Sequence, residues 1–305
     1  MKQNKITYQC QVCDSHNLHK MNDYYDIHGL MSCSNCGFVF MEKIPDEHEL
    51  NTYYGDIYKS IKTSSEEFYS TDLNKISYSL LLDEFEKFRK TNKIIDAGCG
   101  FGAFLIEAKK RGWDCYGTEF EPTSVDYCHS IGLEKVIVGD LENKIFKDNE
   151  FDIITSFEVI EHLTDLKTYL SSINKKLRVD GLFYLTTPNF NSLNRYYERT
   201  NWRVIEYPAH LSYFTKSSLN KILISNGFNL HKILTTGVAF SGGLQFEKSN
   251  NEDKKITPAD KDYNIRKLFS SSVGLILKNI INSVLNIFSI GNTLKGYYLK
   301  REASN

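Results

Sequence analysis

The sequence predicts an α/β chain: a doubly wound, mainly parallel sheet preceded by a small cysteine-rich module. Three observations carry this. From residue 93 onward, apolar runs of strand length alternate with helical patterns. The first run ends in a glycine-rich turn that opens a helix. Two C-x-x-C pairs stand ahead of any aliphatic periodicity.

The 305 residues suffice for one full domain and a small accessory module. Three spans are expected: the cysteine module over 1–44, a polar, Tyr-rich linker over 45–69, and the main domain over 70–305. Apolar residues make up 41% and charged residues 25%, the profile of a soluble globular protein. A net charge of −1 and the lack of a basic run argue against a nucleic-acid partner. Residues 1–22 are polar, so no secretory leader is expected, and no apolar run is long enough to suggest a membrane span. The expected setting is therefore cytoplasmic and reducing, with metal-bound thiolates in place of a disulfide framework.

The elements follow in order. Tyr78–Lys90 places Leu81, Leu82, Phe85 and Phe88 at amphipathic-helix spacing. Lys93–Ala97 is a buried-strand signal, Ala103–Arg111 a helix, and Asp114–Glu119 a second strand. Val125–Ser130 reads as a helix, and Lys135–Val138 and Phe151–Ser156 as strands. Asp165–Arg178 is helical, Gly181–Thr187 a strand, and Leu219–Asn226 a helix stopped by Gly227. Phe228–Thr236 and Thr293–Lys300 are late strands. Between them a surface insertion is expected over 238–264 and an apolar C-terminal helix over 265–290. Lys278, Asn279, Asn282 and Asn286 interrupt that helix, which suits packing on the sheet or in a homodimer better than a membrane surface.

Cys10-Gln-Val-Cys13 and Cys33-Ser-Asn-Cys36 are two knuckles that can set four thiolates tetrahedrally around Zn²⁺. Gly37 suits the tight turn that aims backbone amides at sulfur. So short a segment cannot build a large core, so the zinc is expected to hold it folded. Substrate docking is the other role open to it.

Asp96-Ala-Gly98-Cys-Gly100-Phe-Gly102 follows a strand and opens a helix, as a turn that lets a ligand approach the backbone must. The third glycine comes one residue too early for a dinucleotide fingerprint. Glu119 ends the second strand, where a carboxylate can accept ribose hydroxyls.

Together with Gly139-Asp140-Leu141 and Phe151-Asp152-Ile153-Ile154, these residues resemble the class I S-adenosylmethionine-dependent methyltransferases over about residues 70–300. The resemblance implies a seven-stranded Rossmann-like sheet with an antiparallel last strand. It also implies cofactor contacts from Asp96, Gly98, Gly100 and Gly102 near the methionine moiety, Glu119 at the ribose, and Asp140 and Leu141 at the adenine. Phe157-Glu-Val-Ile-Glu161-His-Leu163, Thr186-Thr-Pro-Asn189 and Pro208-Ala-His-Leu-Ser-Tyr-Phe-Thr215 narrow it. They are similar to the type 23 branch that holds the ubiquinone O-methyltransferases and many polysaccharide-associated methyltransferases. A ribbon ahead of such a domain resembles bacterial enzymes of surface-glycan and secondary metabolism.

Glu158, Glu161 and His162 lie at i, i+3 and i+4, which on a helix is one face. With His210 they form a donor set for Mg²⁺, Mn²⁺, Fe²⁺ or Zn²⁺. The small-RNA 3′-end methyltransferases are similar here, with a metal on such residues that chelates neighbouring hydroxyls. The expected catalytic residues are His162, His210 and Glu161. The same pattern also fits helix capping, with His162 or His210 acting only as a general base. The aromatic group Tyr196, Tyr197, Trp202, Tyr207, Tyr213 and Phe214 suits either a platform for a sugar ring or the core of a lid. The expected reaction is methyl transfer to a hydroxyl of a small molecule or glycan precursor. The alternatives are an RNA base methyltransferase with a zinc module and a non-catalytic binding protein on the same fold.

Overall fold

The computed structural model describes residues 8–46, 48–50, 52–53, 72–237 and 272–302. Most of the expected linker, the whole expected insertion and residues 265–271 of the expected C-terminal helix lie outside them.

The N-terminal part contains β1 (Leu18–Lys20), α1 (Asn22–His28), β2 (Leu30–Cys33) and β3 (Val39–Met41). The main domain begins with α2 (Asp72–Phe85), β4 (Lys93–Ala97), α3 (Ala103–Lys110) and β5 (Asp114–Glu119). It continues with α4 (Pro122–Ser130), β6 (Val136–Val138), β7 (Phe151–Phe157), α5 (Leu166–Lys176) and β8 (Leu177–Pro188). Then come α6 (Leu193–Glu198), β9 (Ser212–Tyr213), α7 (Lys216–Ser225), β10 (Phe228–Thr236), α8 (Ser272–Phe288) and β11 (Thr293–Lys300).

Seven strands form the main sheet in the order β10-β11-β8-β7-β4-β5-β6. All its neighbours pair in parallel except β11, which runs antiparallel to both β8 and β10. The sheet is thus the doubly wound arrangement with the antiparallel last strand that the sequence implied. β4 and β7 occupy its middle, and their near-continuous apolar runs suit strands covered on both faces. A buried carboxylate anchors the start of this sheet. The backbone N–H groups of Lys90, Thr91 and Asn92 donate to Asp152 Oδ2 over 2.7, 2.7 and 2.8 Å. Arg178 Nε donates to Asp152 Oδ1 over 2.5 Å.

The boundaries differ from expectation where caps decide them. α2 starts six positions before Tyr78 and gives way to a 3₁₀ turn at Glu86–Phe88. α4 starts at Pro122, which has no N–H to lose in a first turn, and the Glu121 side chain accepts from Thr123 N. β8 begins at Leu177, so the preceding helix ends at Lys176 and not at Arg178.

The N-terminal module is built into the main domain. Its sheet has the order β1-β2-β3-β9, so its last strand comes from residues that follow β8 by more than twenty positions. Val39 pairs with Tyr213 and Phe40 with Ser212, antiparallel. Phe38 packs on Phe214 at 5.2 Å and on Phe40 at 5.6 Å between ring centroids. Each phenylalanine so buried stabilises the junction by about 1.5–3 kcal/mol. A separate cluster joins Leu30, Val39 and Met41 to Phe190, Trp202 and Tyr213. The aromatic group therefore divides: Trp202, Tyr213 and Phe214 are core, while Tyr196 and Tyr197 are exposed.

α8 lies against β10. The asparagines that interrupt its apolar run serve the sheet edge: Asn286 Oδ1 accepts from Thr235 N over 3.0 Å, and Asn282 Oδ1 from Gly237 N over 3.0 Å. Among the described residues no helix is long and apolar enough to cross a membrane.

Candidate active site

The carboxyl ends of β4, β5 and β7 and the loop after β6 surround one cleft. Ala97 and Gly98 form its floor, and Glu119 and Phe120 one side. Gly139, Asp140 and Leu141 line it from the loop after β6, and Val159, Leu163, Thr164, Asp165, Thr168 and Tyr169 from beyond β7. This is the end of a parallel sheet at which ligands bind. The turn after β4 needs its glycines: Gly98 has φ 79, and a Cβ there would lie 2.7 Å from Val159 Cγ2. Glu119 is held by the backbone around it. Phe120 N and Glu121 N donate to its Oε1 over 2.7 and 3.1 Å, and Gly100 N donates to its Oε2 over 2.9 Å.

The expected cofactor residues are not all on the surface of this cleft. Gly98, Glu119, Asp140 and Leu141 line it. Gly100 acts through its bond to Glu119, and Gly102 lies at the N-terminus of α3. Asp96 is buried below the turn, where Thr155 Oγ1 donates to it over 2.7 Å. Burial, together with the nearby negative charge of Glu119 and against the Thr155 bond, pushes the Asp96 carboxyl up to about 7.

Beside the cleft, past Val159, three side chains converge. Ligand atoms of Glu161, His162 and His210 all lie within 4.8 Å of one another. They are not carried by one helical face, as the i, i+3, i+4 spacing suggested. Glu158 has φ 52, Val159 falls outside the helical region at φ −121 and ψ −43, and only Ile160–His162 forms a 3₁₀ turn. The two carboxylates stay in contact but differ in setting: Glu161 is buried, whereas Glu158 is solvent-exposed and is not one of the convergent three. Protein atoms still crowd the Glu158 carboxyl, and this partial desolvation raises its pKa.

Glu161 Oε2 accepts from Thr187 Oγ1 over 2.9 Å, while its buried Oε1 has no hydrogen-bond partner among the described residues. Burial, then the adjacent Glu158, holds the Glu161 carboxyl well above the usual carboxylate range. His162 Nδ1 lies 3.0 Å from Ala209 O, and His210 Nδ1 lies 2.7 Å from Val204 O. A carbonyl can only accept, so His210 carries its proton on Nδ1 and a lone pair on Nε2 when neutral, while the His162 ring meets a second carbonyl, that of Glu158. Burial, then the neighbouring His210, pulls the His162 pKa down to about 4. Burial lowers that of His210 as well. The ring centroids are 4.7 Å apart.

The four N-terminal cysteines also meet. Cys10 Sγ is 3.5 Å from Cys36 Sγ, and Cys13 Sγ is 3.5 Å from Cys33 Sγ. All four sulfurs lie within 4.8 Å of one another. A tetrahedral ion with Zn–S bonds of about 2.3 Å needs sulfurs about 3.8 Å apart, so the set fits one zinc. The N–H groups of Val12 and Cys13 point at the Cys10 sulfur, and those of Asn35 and Cys36 at Cys33.

The profile of a methyltransferase-domain family matches residues 69–233, more than half of the chain. The chain belongs to this methyltransferase family. An uncharacterized protein of Methanocaldococcus jannaschii is 30% identical over 149 residues, covering 48% of the methyltransferase described here and 63% of that protein. A ubiquinone biosynthesis O-methyltransferase of Bartonella tribocorum is 29% identical over 105 residues, covering 32% of this chain and 41% of the relative. The match thus spans less than two thirds of either relative's own length. The crystal structure of a SAM dependent methyltransferase from Archaeoglobus fulgidus superimposes with a TM-score of 0.50 at 21% identity, covering 81% of this chain and 100% of that one. That likeness concerns the fold.

A methyltransferase of this family uses S-adenosylmethionine, and the cleft suits it. A carboxylate at the end of β5 faces an apolar wall, Leu141, and the exposed carboxylate of Asp140. Sequence reading missed Thr187, which orients Glu161, and Thr155, which orients Asp96. Both are threonines within strands, and only their depth and partners in the fold distinguish them.

Proposed function

We propose that this methyltransferase moves the methyl group of S-adenosylmethionine to a hydroxyl oxygen of a small molecule or glycan precursor, with a divalent ion held by Glu161, His162 and His210. The observation that carries the metal reading is the buried, unpartnered Oε1 of Glu161 in a cluster with two imidazoles. Without an ion, or a proton shared with the adjacent Glu158, that oxygen stays buried without a partner, which costs about 1–3 kcal/mol. An ion would satisfy it. Two neutral imidazoles with Nδ1 tied to carbonyls are also the arrangement in which ligating histidines are usually held.

The sulfonium methyl is already a strong electrophile, so the protein has to align an acceptor and help it lose a proton. A bound Mg²⁺ or Mn²⁺ would acidify a coordinated hydroxyl and, for a vicinal diol or catechol, fix both oxygens. A positioned base alone supplies a factor of about 10²–10⁴. That suffices more readily for a phenol than for a sugar hydroxyl. Val159 lines the cofactor cleft and precedes Glu161 by two residues, so the acceptor would approach the methyl group beside this residue. In this reading the chain divides into a zinc ribbon over 1–44, a linker over 45–69 and the methyltransferase domain over 70–305. The ribbon zinc would be structural.

The test uses Glu161→Gln and His210→Ala. Each should abolish turnover and leave S-adenosylmethionine affinity within about threefold, because each would touch the acceptor and not the donor. Activity of metal-stripped enzyme should return with added Mg²⁺ or Mn²⁺. Normal methylation by both variants would sink the metal reading.

A further inference from the structure

The first cysteine knuckle does more than complete a metal site. Gln11 lies between Cys10 and Cys13 and reaches across to the main domain. Its Nε2 donates to Thr164 O over 3.2 Å, and its Oε1 accepts from Leu166 N over 2.9 Å. One side-chain amide thus grips two backbone groups of a single loop, much as a neighbouring strand would. The loop is the wall of the cofactor cleft: Leu163, Thr164 and Asp165 line it directly. Lys167 forms an ion pair with Asp14, just after the knuckle, on the same stretch. Beneath these contacts Cys10 and Val12 are buried in the cluster that includes Ile160 and Leu166.

We propose that Gln11 is a positioning residue for the cofactor cleft, bracing its Leu163–Asp165 wall against the metal knuckle. This rests on the reading of the cleft as the S-adenosylmethionine site. The knuckle fixes the Gln11 backbone through its sulfurs, and the amide passes that order to the loop. A loop held in place before binding adds no ordering cost when the cofactor arrives. A loop released from the brace must be ordered by the cofactor itself, so affinity falls. The chemical step does not depend on the brace once the cofactor is seated.

The experiment uses the full, zinc-loaded chain and titrates S-adenosylmethionine by calorimetry, with steady-state kinetics alongside. Gln11→Met keeps the length of the side chain and removes both hydrogen bonds. It should weaken binding about fivefold to tenfold and raise KM for the cofactor correspondingly, with the loss in KM and not in kcat. Gln11→Glu keeps the acceptor for Leu166 N, at a helix N-terminus that favours a carboxylate, but loses the donor to Thr164 O. Its affinity should fall between those of wild type and Gln11→Met. Tyr25→Phe serves as the control, since it removes a ribbon hydrogen bond to Glu42 on a residue that does not line the cleft. Its cofactor affinity should match wild type.

Cofactor affinity within twofold of wild type in Gln11→Met would overturn the proposal. So would an equal loss in Tyr25→Phe, which would mean that any weakening of the ribbon acts alike. Should Gln11→Met fail to fold, the comparison of Gln11→Glu with wild type decides by the same criterion. Wild-type protein that binds no S-adenosylmethionine would instead overturn the reading of the cleft, and the brace with it.

Discussion

Glu119→Ala is the substitution whose effect can be worked most directly from the geometry. The carboxylate offers about four lone-pair directions. Three are filled within the protein, by Phe120 N and Glu121 N on Oε1 and by Gly100 N on Oε2. One remains, on Oε2, for a ribose hydroxyl. A hydrogen bond to a charged group contributes about 1.5–3 kcal/mol, so losing one should weaken cofactor binding roughly tenfold to 150-fold. A larger loss would mean that Gly100 also shifts, since its N–H loses its acceptor in the variant. Glu119→Gln should do no better, because its amide must present either N–H groups or its single oxygen to donors on both sides. The assay is calorimetric titration with S-adenosylhomocysteine, which is the product and cannot turn over. Folding is checked by the thermal midpoint. A folded Glu119→Ala protein with affinity within twofold of wild type would refute the assignment of the ribose to this carboxylate.

Three further outcomes are expected. Metal analysis of purified protein should give about one tightly held zinc, lost in Cys10→Ser/Cys33→Ser; a folded, zinc-free N-terminus would contradict the cysteine geometry. Asp152→Ala should lower unfolding free energy by about 3–5 kcal/mol, measured by urea denaturation, because it leaves Arg178 and three backbone N–H groups without their shared acceptor. The buried Asp96 should make the cofactor-free protein less stable as pH rises. Its folded pKa, about 7, exceeds the usual 3.8, so the fold holds the proton that the unfolded chain releases. The cost is absent below about 3.8, grows through that window and levels off above about 7, at a magnitude on the order of 4 kcal/mol. Asp96→Asn should therefore raise the melting temperature at pH 8 and leave it nearly unchanged at pH 4; equal effects at both would refute this.

The main sheet was legible because short strand-length runs alternate with helical patterns and are set off by glycine and acidic residues. Lys93–Ala97, Asp114–Glu119, Phe228–Thr236 and Thr293–Lys300 stand where the sequence put them. Helix starts were less legible, since a proline or an acidic cap can carry a helix beyond its apolar stripe, as at Pro122. The Glu158–His162 stretch misled for a physical reason. Its spacing has helical period, but the chain turns at a positive φ on Glu158, which nothing in the residue type announces. The ring of contacts that brings His210 to Glu161 also depends on non-local pairing. Leu211 N donates to Glu161 O over 2.8 Å, and the adjoining Ser212–Tyr213 pairs with the ribbon. A two-residue strand that completes a distant sheet has no periodicity to read. The same holds for Gln11, whose role comes from the loop it reaches and not from its place in the knuckle.

Oxygen methylation of a hydroxyl at the Glu161, His162 and His210 cluster is the proposal on which the rest depends. The most direct test incubates the zinc-loaded protein with S-adenosylmethionine bearing a deuterated methyl group and a pool of nucleotide sugars and catechols, with and without Mg²⁺ or Mn²⁺. Mass spectrometry and fragmentation then locate the label. A deuteromethyl group should appear on an oxygen of at least one acceptor, dependent on added ion and absent with Glu161→Gln. Label on nitrogen or carbon, or equal yields from wild type and Glu161→Gln, would contradict it.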